Sequence, residues 1–232
     1  MKKIILFIIV SIILCSCKSN DLHTTNYFSS VTIDTLLQDK ISIRALLIDK
    51  EKIWYAADQS RFGCIDLKSN QKKEIQIPAD KNREYRSIAQ TKEHIFILSV
   101  ANPALLYRIS KKDLSYELVY QETHEKVFYD SMQFWNDMEG IAIGDPIEGV
   151  FSLLKTIDGG KTWEKTPAKL LPKLVDGEAA FAASNTNIVV NGDHTWIVSG
   201  GIKARVFYSK DKAKSWSVYN TPIVQGKQMT GI

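Results

Sequence analysis

From about residue 41 onward the chain is built of short apolar runs separated by polar, turn-forming residues. The runs are rich in β-branched and aromatic side chains and are bounded by Asp, Asn, Gly and Lys, which is the signature of strands joined by hairpins. No window sustains a helical period, so helix is expected to be nearly absent. The runs fall into fours. The first unit comprises Ile41–Ile48, Lys52–Ala57, Arg61–Leu67 and Lys73–Ile77. The second comprises Tyr85–Gln90, His94–Val100, Leu105–Ser110 and Tyr116–Tyr120, and the third Asp130–Trp135, Gly140–Gly144, Phe151–Thr156 and Thr162–Lys165. The fourth comprises Ala179–Ser184, Trp196–Ser199, Arg205–Ser209 and Ser215–Tyr219, with an extra apolar piece at Asn187–Asn191.

The turn after each third strand sets a register in which Asp66, Ser110, Asp158 and Asp211 align, spaced by 44, 48 and 53 residues. A four-stranded repeat of that length predicts an all-β fold, a β-propeller, rather than a helical solenoid. Four units fall short of a typical propeller of this blade size. Gln228–Ile232 aligns with the first strand of a fifth unit. A propeller domain over 40–232 that is truncated in blade 5 is therefore expected; the alternative is a complete four-bladed ring with a short tail.

Before residue 40 the pattern changes. Lys2 and Lys3 precede an apolar run from Ile4 to Leu14, broken only by Ser11. The run is too short to span a bilayer and has the length of a signal-peptide core. It ends Leu14-Cys15-Ser16-Cys17. Leu14 at −3 and Ser16 at −1 resemble a bacterial lipobox, so residues 1–16 are read as a lipoprotein signal peptide and Cys17 as the lipidated residue. A plain signal peptide with incidental cysteines is the alternative. Residues 17–39 then form a tether, in which the weak alternation of 27–37 suggests a ring-closing strand. The expected address is the bacterial cell envelope, with the membrane reached through lipid alone. Cys64, in Phe62-Gly-Cys-Ile65, is left without a disulfide partner and reads as a small core residue.

Composition narrows the function classes. Hydrophobic residues make up 44% and charged residues 24%, ordinary for a globular chain. The formal charge is +4 and falls to +2 without Lys2 and Lys3. That balance is too weak to argue for nucleic acid, and no Lys/Arg stripe interleaves with aromatics. The four histidines are scattered, which gives no metal site. No Gly-x-Gly-x-x-Gly opens a helix, and no cofactor is expected.

Thr156-Ile-Asp-Gly-Gly-Lys-Thr-Trp163 and its worn copy Ser209-Lys-Asp-Lys-Ala-Lys-Ser-Trp216 are the most distinctive stretches. The first resembles the Asp box of BNR and sialidase-like propellers, carried here by Thr156, Asp158, Gly160, Thr162 and Trp163. The copy retains Ser209, Asp211 and Trp216 but has Ala213 where Gly is expected, so its turn should be strained or rearranged. The motif is a structural device, with little to say about function. Ser42-Ile-Arg-Ala-Leu46, Lys52-Ile-Trp-Tyr-Ala56, Gly140-Ile-Ala-Ile-Gly-Asp-Pro146, Gly177-Glu-Ala-Ala-Phe-Ala-Ala-Ser184 and Ala204-Arg-Val-Phe-Tyr-Ser209 extend the resemblance to WD40/YVTN-like bacterial propellers akin to photosystem II stability/assembly factors. The resemblance implies assembly work through protein binding. Proteins of that group are often labelled oxidoreductase or glycosyl hydrolase, and nothing in these residues supports redox chemistry.

The register points to the face opposite the Asp-box turns. First-strand starts there are Arg44, Arg86, Asp130 and Glu178; second-strand ends are Asp58, Asn102, Asp145 and Gly200-Gly201. Arg44, Arg86, Asp130, Glu178 and Asp145 are the candidate ligand-binding residues, suited to an amide, carboxylate or sugar. The competing reading is an arginine–carboxylate network that ties blades together. The expected function is a non-catalytic binding or assembly propeller that contacts a protein or glycan. A sialidase-like glycoside hydrolase using Asp130 with Glu178 or Asp145 is the alternative, although the Arg-Ile-Pro signature of that family is absent. A purely structural envelope lipoprotein is a further alternative.

Overall fold

A computed structural model describes residues 29–78, 82–181, 185–227 and Thr230. The leader, Cys17, His23 and most of the expected fifth-unit strand lie outside the described residues. So do residues 182–184 of the expected strand Ala179–Ser184.

The period-2 runs pair with their chain neighbours as antiparallel hairpins. Blade 1 contains β1 (Ile43–Asp49), β2 (Lys52–Ala57), β3 (Arg61–Asp66) and β4 (Lys72–Gln76). Blade 2 contains β5 (Tyr85–Gln90), β6 (His94–Ser99), β7 (Ala104–Ser110) and β8 (Tyr116–Glu122). Blade 3 contains β9 (Tyr129–Phe134), β10 (Gly140–Ile147), β11 (Val150–Thr156) and the two-residue β12 (Glu164–Lys165). A minimal pair, β13 (Glu178–Ala179) with β16 (Gly200–Gly201), adjoins blade 4, which is β14 (Ile188–Asn191), β15 (His194–Val198), β17 (Arg205–Ser209) and β18 (Ser217–Asn220). The only helical turn among the described residues is a 3-10 turn at Ala168–Leu170.

The blades stack face to face, with the first strands β1, β5, β9 and β14 as successive neighbours. Trp54, Phe62 and Cys64 of blade 1 meet Ile88, Ile97 and Tyr107 of blade 2. Phe96, Leu98 and Leu106 of blade 2 meet Met132, Leu154 and Trp163 of blade 3. Ile143, Phe151 and Leu153 of blade 3 meet Ile188, Ile197 and Phe207 of blade 4. Cys64 is a buried free thiol in the first of these cores. Leu37, Ile41 and Ile43 cover the outer face of blade 1 at Tyr55, Ala57 and Ile65.

Residues 29–42 carry no strand. Two expectations are corrected. The first strand of blade 4 is the supposed extra piece, Ile188–Asn191, and not Ala179–Ser184, of which only Ala179 is paired among the described residues. Phe181, at φ 81°, ends the extended run after Ala180, and Ile188 joins the core between blades 3 and 4. The register also shifts by two residues. Pairing with the second strands aligns Asp66, Ser110, Thr156 and Ser209, so the recurrent position is the hydroxyl ahead of the aspartate in blades 3 and 4.

Both distinctive hairpins close in the same way. The Thr156 hydroxyl donates to Asp158 Oδ1 and accepts from Gly160 N–H at 3.0 Å, while Lys161 and Thr162 N–H groups donate to Asp158 Oδ1, each at 3.0 Å. Ser209 and Asp211 repeat the set, with Ala213, Lys214 and Ser215 as donors. The second turn is therefore strained rather than rearranged: Lys212 and Ala213 hold φ of 54° and 59°, where Gly159 and Gly160 stand in the first.

Candidate functional site

Each of the first three blades breaks register after its opening pair. Ile43 faces Ala57 and Ala45 faces Ala56; Tyr85 faces Ser99 and Ser87 faces Leu98; Tyr129 faces Gly144 and Ser131 faces Ile143. Arg44, Arg86 and Asp130 are the three extra residues. A bulge re-aims its side chain and sharpens the local twist. Glu178, paired with Gly201, stands at the corresponding end of blade 4.

The geometry divides these residues into two groups. Arg44 and Arg86 converge on Glu84, which lies just ahead of β5: Arg44 Nε is 3.8 Å from Oε1 and Arg86 Nη2 is 3.0 Å from Oε2. The three side chains are 40%, 25% and 28% exposed. Arg86 also lies over the Phe128 ring, 5.7 Å from its centroid. Asp130 is fully buried, and neither carboxyl oxygen has a hydrogen-bond partner among the described residues. Burial, and then the neighbouring Asp145 carboxyl, push its pKa well above the ordinary range, against the pull of Arg86. Asp145, raised by burial, accepts one bond from Ala180 N–H at 3.1 Å.

Glu178 stands apart from this cluster. Arg205 grips both of its oxygens, Nε to Oε1 at 2.9 Å and Nη2 to Oε2 at 2.6 Å. Ser199 Oγ and Val175 N–H supply further donors. Burial alone would raise the Glu178 pKa, but these donors hold it low. The structure thus brings Asp130 and Asp145 together and commits Glu178 to a bidentate ion pair. Arg205 serves Glu178 and does not join Arg44 and Arg86. Of the second-strand ends, Asp58 Oδ1 binds Ser42 N–H and Arg61, and the Asn102 carbonyl accepts from Arg83.

Asn185 was not anticipated. Asn185 reaches the inner edges of two other blades. Its Oδ1 accepts from Ser87 Oγ at 2.9 Å and Met132 N–H at 3.0 Å, and its Nδ2 donates to the Ile88 carbonyl at 2.8 Å. Asn187 Oδ1 likewise accepts from Ser131 Oγ. These amides satisfy polar groups that an inner strand edge would otherwise leave unpaired. Asn185 at φ 59° is a conformation asparagine tolerates better than most residues. The Asn185-Thr-Asn187 cluster before an apolar run was the signal available. Among the described residues no group of His, Cys, Asp and Glu is placed to hold a metal.

The sequence matches no family model and no curated protein. Solved structures of U3-55K and of the RRP9 WD40 repeats superpose with TM-scores of 0.55 and 0.56, both at 14% identity over 80% of this chain. The fold is a WD40-like β-propeller. The chain spans about half the length of these two structures, 54% and 53%. At that identity the likeness carries the fold alone. In propeller terms the bulge residues occupy one rim of the channel formed by the first strands, and Asn185 reaches across its interior.

Proposed function

We propose that this propeller is a non-catalytic binding module, held at the bacterial cell envelope by lipid on Cys17, that takes a carboxylate-bearing protein or glycan at the Arg44–Arg86 rim. The observation that carries this reading is the pairing of two partly exposed guanidinium groups with one carboxylate, Glu84. One positive charge is left over, and a planar donor pair suits an incoming carboxylate. The resemblance to assembly-factor propellers supports binding over chemistry. So does the state of the carboxyl groups: Glu178 is saturated by Arg205, and Asp130 is sealed from solvent.

The test combines a glycan array with crosslinking to envelope proteins, using wild type, Arg44→Ala and Arg86→Ala. Binding of an acidic ligand or partner that falls at least tenfold in both variants is expected. Turnover of a glycoside panel that is lost in Asp130→Asn or Asp145→Asn would establish the hydrolase instead. Lipid labelling that persists in Cys17→Ala would refute the anchor.

A further inference from the structure

The opposite face carries a groove that the channel-rim reading leaves unused. It lies between the hairpin that follows β11 and the one that follows β17, with a volume of about 560 Å³, within the range of small-ligand sites. Lys155 and Lys214 line it, together with Ile157, Pro167 and Leu170. Ile157 and Leu170 are 76% and 56% exposed, an apolar rim on a charged floor.

The ammonium groups are short of counter-charge. Lys155 is half-buried; its Nζ donates to the Lys212 carbonyl at 2.6 Å and sits 5.5 Å from the centre of the Trp135 ring. No carboxylate lies within ion-pair distance of Lys155 or Lys214 among the described residues. Burial, and then the charge of Lys214, depress the Lys155 pKa, against weaker help from Glu139 and Asp211. Asp158, on the groove wall, spends its charge on its own turn through the N–H groups of Lys161 and Thr162 and the hydroxyls of Thr156 and Thr162. Lys165 is already paired with Glu122, and Glu164 is the remaining acid on the wall.

We propose that this groove binds an extended acidic peptide segment of a partner protein, with a carboxylate between Lys155 and Lys214 and an aliphatic side chain against Ile157 and Leu170. A carboxylate there would replace solvent at a half-buried ammonium that has a single carbonyl acceptor. An acidic sugar fits less well. Its ring would need an aromatic face to stack on, and no aromatic side chain among the described residues lines the groove. The pairing of aliphatic rim and basic floor matches alternating Asp or Glu with Leu or Ile.

The test is fluorescence anisotropy on the full chain, with labelled hexapeptides alternating Glu and Leu and with their Gln counterparts. Sialyllactose and oligogalacturonate serve as competing probes. The acidic peptide should bind and the Gln peptide should not. Affinity should fall at least tenfold in Lys214→Glu, which changes an exposed side chain, and in Lys155→Met, which keeps the buried stem. It should also fall with added salt and survive Arg86→Ala, which separates this groove from the channel rim. Failure of the acidic peptide to bind at millimolar concentration would overturn the proposal. So would undiminished binding in either lysine variant, loss of binding in Arg86→Ala, or stronger binding of the sugars.

Discussion

Glu178 and Asp130 are both sealed carboxyl groups, and their surroundings treat them oppositely. Glu178 has a guanidinium on both oxygens and stays ionised; the Asp130 carboxyl has no hydrogen bond among the described residues and holds its proton to higher pH. Removing the guanidinium should therefore be expensive. Arg205→Ala is expected to cost about 3–5 kcal/mol in urea denaturation because it strands a buried charge, and Arg205→Met with Glu178→Leu should recover most of the loss. Asp130 predicts a pH effect of definite sign. Its folded pKa is raised, so its contribution to stability is fully present below the unfolded value of about 4 and is lost as pH rises toward the folded value. Asp130→Asn should flatten that decline above about pH 4, measured as the denaturation midpoint against pH. Arg44, Arg86 and Asp130 were legible in the sequence because each repeats one residue into a first strand, and the bulge that re-aims them recurs with it. The partners were not legible. Glu84 precedes its strand, and the Arg205–Glu178 pair is made between two residues 27 positions apart that no pattern links.

The hairpins show how a shared hydrogen-bond set tolerates different residues. Gly160 has φ 75°, and a Cβ there would collide with the Phe96 ring of blade 2. Gly160→Ala should cost about 1–3 kcal/mol from overpacking alone, with further loss from the left-handed backbone. Ala213, at the matching position, fits into the core between blades 3 and 4. Ala213→Gly should stay within about 1 kcal/mol of wild type, because relief of the backbone strain offsets the lost buried methyl. Thermal denaturation of both variants checks the contrast. Strand identity was legible where side chains alternate in size and polarity, as in blade 2, whose four expected strands fall close to their observed bounds. It failed at Ala179–Ser184, which resembles a strand in composition but whose backbone turns to φ 81° at Phe181. The true first strand of blade 4 was visible only as a surplus apolar piece.

At the scale of the molecule, three inter-blade cores join four blades among the described residues, and each blade is made of hairpins between chain neighbours. The fold class was legible because this local pairing repeats along the sequence. What links non-neighbouring blades is not local, and sequence periodicity is blind to it. Asn185 bonds to Ser87 and Ile88, 98 and 97 residues away, and to Met132 across another blade. This has a kinetic meaning. Hairpins close in microseconds, whereas a contact of such separation forms only after the intervening chain is ordered. The amide of Asn185 is then a late latch, made after the transition state. Asn185→Gly keeps the backbone conformation and removes the latch, so it should accelerate unfolding by a factor that corresponds to about 1–3 kcal/mol and leave the refolding rate unchanged. Stopped-flow chevrons of the two proteins would then share a folding limb and differ in the unfolding limb. The lifetime of the folded blades would thus depend in part on one side-chain amide, while the speed of assembly would be set by the hairpins.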